Sequence, residues 1–398
     1  MKILMLTPYL PFPLYSGGQI RSYNLIKNLS KKHQITLFSF IRSSAEKKHL
    51  KELEKYCYKV KVFKRRQAWD PRNILLAALT PYPFLVSIYL SKRLRQTIQV
   101  ELSSADYDLI HAETFYVMPN LPQHINTPTL LVEQTIEYLV YQHFVQTTKL
   151  FFLKPLLYFD VFKIKLWEKY FWRKATHLAA MSDSDQRIMQ SEIKGLTAID
   201  VVANGVDVDH FASVAQKKRS FSSPQVLFVG NFKWLPNKDA AVFLSEKIWP
   251  LIHARLPQAR LTIVGRNPTP SILKLNHLPG VTVIDDVVDI RDVLSQASVL
   301  LAPIRNGRGT KYKVLEAMAS GIPVVTTKLG IEGIQVGQGA VQVAESPPVL
   351  AQKTIAVLTH KKLAQSMAIK ARKIVYSQYN WQVISARLDK IYQNLGGA

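Results

Sequence analysis

Short apolar runs alternate along the chain with stretches whose apolar residues recur every three or four positions. An unbroken apolar run is the pattern of a strand buried on both faces, and the longer spacing is that of a helix laid over it. The alternation predicts an α/β fold of parallel sheets covered by helices on both sides. Two series of strands can be read. Lys2 to Thr7, Ile35 to Phe40, Lys59 to Phe63, Asp108 to His111, Thr129 to Val132, Thr176 to Met181 and Asp200 to Val202 make the first. Val226 to Gly230, Arg260 to Gly265, Val281 to Asp285, Val299 to Pro303, Pro323 to Thr326 and Val341 to Val343 make the second. Between them, Ala215 to Pro224 (AQKKRSFSSP) is polar, basic and serine-rich, as an exposed linker is, and it sets domains at 1–217 and 218–378. Pro347 to Tyr379 predicts two helices. A last helix opens near Trp381 in the tail 379–398, where Ile384, Leu388, Ile391, Tyr392 and Leu395 give it one apolar face to bury.

Sheets of this kind bind ligands in loops at the carboxyl ends of their strands. The most informative such stretch is 305–327, RNGRGTKYKVLEAMASGIPVVTT. Gly307 and Gly309 let backbone approach an anion, with Thr310 beside them. Arg308, Lys311 and Lys313 bring cations to the start of a helix whose dipole already favours negative charge. Glu316 follows one turn into that helix. A carboxylate does nothing for a phosphate, but it accepts two hydrogen bonds from a ribose diol. The ligand implied is a nucleotide diphosphate.

Other strand ends add candidates. Gly17 and Gly18 open a helix after the first strand, which suits amides that point at a diphosphate or an acceptor. Arg21, one turn in, either reaches the same anion or stays in water. His111 and Glu113 end the strand DLIHAE, where a histidine can meet a sugar hydroxyl or a developing charge, or be a satisfied internal residue. Gly230 with Asn231, and Arg266 after Gly265, stand at strand ends of the second series. Lys233 and Lys238 follow the first of these as phosphate candidates. Three pairs of acids spaced by one residue, at Asp106 and Asp108, Asp183 and Asp185, and Asp207 and Asp209, have the spacing of turns and helix caps. Ser182 and Asp183 likewise read as caps, and no metal is expected.

A formal net charge of +24 asks for a polyanionic partner, which is a membrane surface, a nucleic acid or an anionic substrate. The basic residues are spread over both halves without a nucleic-acid reader motif, so no nucleic acid is expected, although a basic nucleic-acid-binding protein is the rival reading. Residues 149–174 interleave aromatic side chains, among them Phe151, Phe152, Tyr158, Phe159, Trp167, Tyr170, Phe171 and Trp172, with lysines and arginine, and Lys59 to Arg66 with Trp69 forms a second such patch. The pattern fits a helix lying on an anionic bilayer, or a core-facing helix with solvated lysines. The longest uncharged stretch, Asn73 to Leu90, is interrupted by Pro81 and Pro83, so no membrane-spanning helix is expected. With Cys57 as the only cysteine and no secretory leader pattern, the expected location is the cytoplasm, at its membrane face. The oligomeric state is left open.

Taken together, SGG after the first strand, DLIH, NGVD (Asn204 to Asp207), FVGNFKWLPN (Phe228 to Asn237), GRNP (Gly265 to Pro268) and GRGTKYKVLEAMASGIPVV (Gly307 to Val325) resemble glycosyltransferase family 4, especially the sugar transferases of exopolysaccharide gene clusters. The resemblance covers nearly the whole chain. It implies GT-B architecture: two Rossmann-like domains whose sheets face across a cleft, with the C-terminal helix 379–398 returning to the first. It also implies a nucleotide-diphospho-sugar donor, retention of configuration and no required metal or cofactor. Glu316 matches the ribose-binding glutamate and Lys313 the lysine near the donor diphosphate, while Gly18 matches the glycine beside it. The chain departs from the pattern where Arg308 stands eight positions before Glu316 in place of a first glutamate. Asn231 and Pro236–Asn237 replace the frequent arginine and lysine-glycine, and Glu113 takes the second position of His-x-His. The activity implied is transfer of a hexosyl unit to a lipid-linked or polysaccharide acceptor, with His111, Arg308 and Lys313 at the chemistry. Gly17, Gly18, Gly230, Asn231, Lys233, Arg266, Gly309, Thr310, Lys311 and Glu316 would hold the donor, and Arg21 and Glu113 the acceptor or sugar. A nucleotide-sugar-binding subunit without turnover would carry the same motifs.

Overall fold

A computed structural model of the chain describes residues 1–148, 151–215, 222–307 and 309–397. Strands β1 (Lys2–Thr7), β2 (Gln34–Ile41), β3 (Lys59–Lys64), β4 (Leu109–Glu113), β5 (Thr129–Glu133), β6 (His177–Ala180) and β7 (Ile199–Val201) form one sheet in the order β3-β2-β1-β4-β5-β6-β7. All its pairings are parallel, with Met5 opposite both Leu37 and His111 at the centre. The apolar runs that predict these strands are buried as expected: Ile3, Leu4, Met5 and Leu6 of β1, and all of Leu109–Glu113. A second parallel sheet contains β8 (Gln225–Val229), β9 (Arg260–Gly265), β10 (Val281–Asp285), β11 (Val299–Ala302), β12 (Val324–Thr326) and β13 (Gln342–Val343), in the order β10-β9-β8-β11-β12-β13. Each order reverses direction once, between β1 and β4 in the first sheet and between β8 and β11 in the second. Loops leaving neighbouring strands diverge at such a point and open a crevice for a ligand.

The chain divides into two compact units, Met1–Ala203 with Ile384–Ala398, and Asn204–Val383. The first boundary lies before the linker that composition marks. The reason is the helix Val208–Ala215, which buries Val208, Phe211 and Val214 in the second unit beside the helices Ile290–Gln296 and Tyr312–Ala319. Of the linker itself, 216–221 lie outside the described residues. At the other boundary the expected tail helix is present as Trp381–Gly396, and Ile384, Leu388, Ile391 and Tyr392 are buried. His33 Nε2 and Lys32 Nζ meet the Asp389 carboxylate at 2.7 and 2.6 Å, tying this helix into the first unit.

In the second sheet, β8 and β9 end against each other. A Cβ on Gly265 would lie 1.5 Å from the Gly230 carbonyl oxygen, so only glycine fits without moving backbone. We expect Gly265→Ala to cost about 1–3 kcal/mol in strain, visible as a fall of several degrees in the unfolding midpoint. An unchanged midpoint would show that this approach is relaxed in solution.

Candidate functional site

The β8–β11 reversal gathers the residues singled out in 305–327. The loop after β11 turns at Gly307 (φ 90°) and Gly309 (φ 83°), left-handed conformations that favour glycine. Its shape is held from both sides. Gly309 N–H donates to Glu332 Oε2 at 3.0 Å, and Lys311 Nζ donates to the carbonyls of Gly307 and Gly309 at 3.1 and 2.5 Å. Lys311, read from sequence as a donor-binding cation, is thus turned onto its own loop as a brace. Arg305 and Asn306 are both drawn to Asp239, with the Arg305 guanidinium 4.0 Å from the Phe243 ring centroid. Arg308 lies outside the described residues. Thr310 Oγ1 is shielded from solvent and has no hydrogen-bond partner among them.

The helix Tyr312–Ala319 starts at Lys311 with no side chain capping its first turn. Lys313 is on that turn and Glu316 on the next. Lys313 Nζ donates to Asn237 Oδ1 at 2.8 Å and lies 4.5 Å above the Phe228 ring. Asn237 Nδ2 donates in turn to the Asn231 carbonyl at 2.9 Å, while Asn231 Oδ1 accepts from Lys233 N–H and Asn267 Nδ2. The end of β8 and the first turn of the helix are therefore one hydrogen-bonded unit. Gly230, at the β8 end, donates its N–H to the Val264 carbonyl, and a Cβ there would press on Asn237 at 3.0 Å. Asn237 is the partner of Lys313 that the sequence did not single out. Its signal is its position in FVGNFKWLPN, where an amide stands near the place of the family's basic residue.

Lys313 and Glu316 are both half-buried side chains. Burial, reinforced by nearby Lys311 and opposed by Glu316, lowers the Lys313 ammonium to about 7. Burial against the opposing pull of Lys313 raises the Glu316 carboxyl to about 7. Between about 7 and its ordinary value, Lys313 holds its proton in the unfolded chain but not the folded one, so stability rises with pH there. Between its ordinary value and about 7, Glu316 holds a proton only in the folded chain, so stability falls with pH there. The pair's own contribution is least favourable near pH 7. Subtracting the melting temperature of the doubly substituted Lys313→Met, Glu316→Gln protein from that of the wild type should leave a curve with its minimum near neutrality. A flat difference would contradict the burial of this pair.

The remaining candidates of the second unit are peripheral to this pair. Lys233 is exposed, and Arg266 Nε binds Asp286 Oδ1 at 2.8 Å in a solvent-facing ion pair.

At the β1–β4 reversal the structure collects Gly17, Gly18, Arg21, His111 and Glu113, but as an interior network. Arg21, His111 and Glu113 are at most 1% exposed. His111 Nδ1 meets the Tyr392 hydroxyl, and its Nε2 is 3.3 Å from Glu113 Oε1. Arg21 Nη1 donates to the Ala203 carbonyl at 2.9 Å, and its Nε is 4.0 Å from Glu113 Oε1. Gln134 Nε2 donates to Glu113 Oε2 at 2.6 Å and also contacts the Tyr9 hydroxyl. Burial works against the Glu113 charge, but His111, Arg21 and Gln134 outweigh it and hold the carboxyl below its ordinary range. The direct contacts with sugar or acceptor expected of His111, Glu113 and Arg21 are therefore not what this geometry presents: each polar edge faces protein. Gly17 begins its helix under the Ser16 cap. The missing side chain of Gly18 leaves room for Tyr9 and Gln134, which a Cβ would approach to 2.4 and 2.6 Å.

Of the paired acids, Asp207 caps its helix, while Asp108 instead ties to the backbone at the start of β1. Asp108 accepts from Lys2 N–H, Ser182 caps the helix that starts at Asp183, and Asp207 accepts from His210 N–H. Among the described residues no three histidine, cysteine, aspartate or glutamate side chains are grouped so as to hold a metal ion. Nor is any helix among them long and apolar enough to cross a membrane.

Two parallel Rossmann-like sheets, each with candidate ligand residues at its order reversal, define the GT-B class of glycosyltransferases. The glycosyltransferase family 4 model matches residues 15–210 and the glycosyl transferases group 1 model residues 223–360. The chain belongs to glycosyltransferase family 4. It is 29% identical over 232 residues to phosphatidyl-myo-inositol mannosyltransferase of Mycobacterium tuberculosis, a match covering 55% of this chain and 60% of that relative's length. It is 22% identical over 366 residues to an uncharacterised 44.6 kDa protein of the cps region of Klebsiella pneumoniae, covering 89% and 90% of the two chains. Among solved structures, a glycosyltransferase from Rickettsia africae superposes with a TM-score of 0.68 at 15% identity, over 99% of this chain and 98% of that one.

Proposed function

We propose that the chain transfers a hexosyl unit from a nucleotide-diphospho-sugar to a lipid-linked or polysaccharide acceptor, with retention of configuration and without a metal or other cofactor. The observation that carries this reading is the Lys313–Glu316 pair on successive turns of one helix, at the β8–β11 reversal and fixed through Asn237 to the β8 end. Glu316 accepts the ribose hydroxyls. Lys313, together with the first-turn amides of its helix and the loop 307–310, meets the diphosphate.

The difficult part of such a transfer is departure of a nucleoside diphosphate, so the main task is to stabilise charge that grows on the leaving phosphate. A lysine with its proton poised near neutrality gains that proton firmly when an anion arrives and concentrates its field in a shielded site. Arg308, from its place in the loop sequence, supplies a second cation. Retention follows if the acceptor hydroxyl attacks from the leaving-group face and passes its proton to the departing phosphate oxygen. His111 then acts by positioning: it fixes Glu113 and Tyr392 beneath the first loop. The name of the mycobacterial relative, a phosphatidyl-myo-inositol mannosyltransferase, favours a lipid or glycan acceptor.

The test is a thermal-shift screen with uridine, guanosine and adenosine diphosphate sugars, followed by a transfer assay with the donor that binds. A matched donor at about 100 times its Kd stabilises by about 2.7 kcal/mol, enough for a shift of several degrees. Turnover should persist in a chelator such as EDTA. No shift and no transfer with any donor would sink the reading, and loss of turnover in EDTA that added metal restores would remove its metal-free form.

A further inference from the structure

The helices Pro71–Leu79 and Lys154–Lys174 of the first unit turn apolar side chains outward. On the longer one, Leu156, Phe159, Phe162, Leu166 and Tyr170 follow at helical spacing, each more than half exposed. Its opposite face is apolar as well, since Val161, Ile164, Phe171 and Trp172 are buried in the unit. The shorter helix exposes Ile74, Leu75 and Leu79 to the same degree. An ordinary surface helix has one apolar stripe, and it faces the core.

The two helices are fastened into a single surface. Lys163 Nζ donates to the carbonyls of Ala77 and Thr80, Trp167 Nε1 donates to the Pro81 carbonyl at 2.8 Å, and Asp160 accepts the Phe84 N–H at 2.8 Å. These bonds end the shorter helix against the middle of the longer one.

Charge decides which partner this face suits. The carboxylates of the longer helix are already engaged: Asp160 by Phe84, and Glu168, buried, by the N–H groups of Glu137 and Tyr138. The shorter helix has no acid within it. Cations stand at the margins, with Arg72 exposed at the start of the shorter helix and Arg173 and Lys174 exposed at the end of the longer one. Past Leu166 and Tyr170 the stripe runs into a groove edged by Arg95 and Lys174. An apolar, aromatic centre with a cationic border, on a chain of net charge +24, matches a layer with an apolar interior and a negatively charged face.

We propose that this face is a docking surface for an anionic lipid bilayer, with the outward leucine and phenylalanine side chains entering the boundary between headgroups and acyl chains and the marginal arginines and lysines over lipid phosphates. The surface belongs to the first unit alone and is independent of the transfer reading, since it concerns binding to lipid with no donor present.

The full chain should co-sediment with vesicles rich in phosphatidylglycerol at least about tenfold better than with pure phosphatidylcholine vesicles, and binding should weaken between about 0.1 M and about 1 M salt. Leu156→Asp with Phe162→Asp on one helix, and separately Leu75→Asp with Leu79→Asp on the other, should each lower binding about tenfold or more while leaving the melting temperature near that of the wild type. Wild-type binding unchanged in both variants, or no preference for anionic vesicles, overturns the proposal. So does a wild-type dimer in solution that the same substitutions convert to monomer, because the face would then be covered by a second copy of the chain.

Discussion

Lys313→Met should lower kcat by about 10²–10³-fold, the usual loss when a group that stabilises transition-state charge is removed from a shielded site. Glu316→Ala should instead act mainly on donor affinity. Hydrogen bonds to a charged group contribute about 1.5–3 kcal/mol, so the donor KM should rise by roughly ten- to a hundredfold. The split between the two variants is informative because the side chains are neighbours on one helix and share a titration range near neutrality. Asn237→Ala, which removes the amide from Lys313 Nζ, should fall between wild type and Lys313→Met in kcat. Steady-state kinetics with the matched donor test all three. Wild-type kcat in Lys313→Met together with wild-type KM in Glu316→Ala would dissociate the pocket from the reaction.

The second large effect concerns the first unit. Glu113→Leu leaves Arg21 buried without its anion, and breaking a buried pair in this way costs about 3–5 kcal/mol. For a unit of this size that is a drop of roughly 6–20 °C in melting temperature. Arg21→Met alone should be similarly harmful, because Glu113 then lacks its guanidinium. The double variant should be more stable than either single one, since no uncompensated charge remains. Additive losses would show that the 4.0 Å approach of the two groups carries no coupling. The depressed Glu113 carboxyl also gives a pH signature. Its contribution is fully present above the ordinary carboxylate value and is lost as acid drives pH down through the lowered one. The stability difference between wild type and Glu113→Gln should therefore be largest near neutral pH and shrink as pH falls through the acid range.

The strand plan was legible because parallel strands buried on both faces leave unbroken apolar runs, as in Lys2–Thr7 and Val299–Ala302, and the helices between them keep their own spacing. The loop and helix of 305–327 were legible for a related reason. Their glycines, cations and acid are contiguous in sequence, so the two can be read as one motif. Residues that act from a distance were not. Asn237 is 76 positions from Lys313, and Tyr392 is 281 from His111. Nothing in DLIHAE announces that a hydroxyl from the last helix will close over the histidine. Read alone, a histidine and an acid at a strand end resemble a surface site, whereas the register of β4 at the sheet centre puts both in the interior. The compact unit begins ahead of the serine- and lysine-rich segment for a similar reason: composition marks exposure, but the helix before that segment packs into the second unit's core.

The path of the polypeptide makes the second unit an insertion in the first, entered after Ala203 and left before Ile384. During synthesis, residues 204–383 emerge as an uninterrupted stretch with everything their core requires. The earlier part must wait, because Ile384, Leu388 and Tyr392 are the last pieces of its interior to leave the ribosome. The half made first is thus the half finished last, when Asp389 and Tyr392 come to meet His33 and His111.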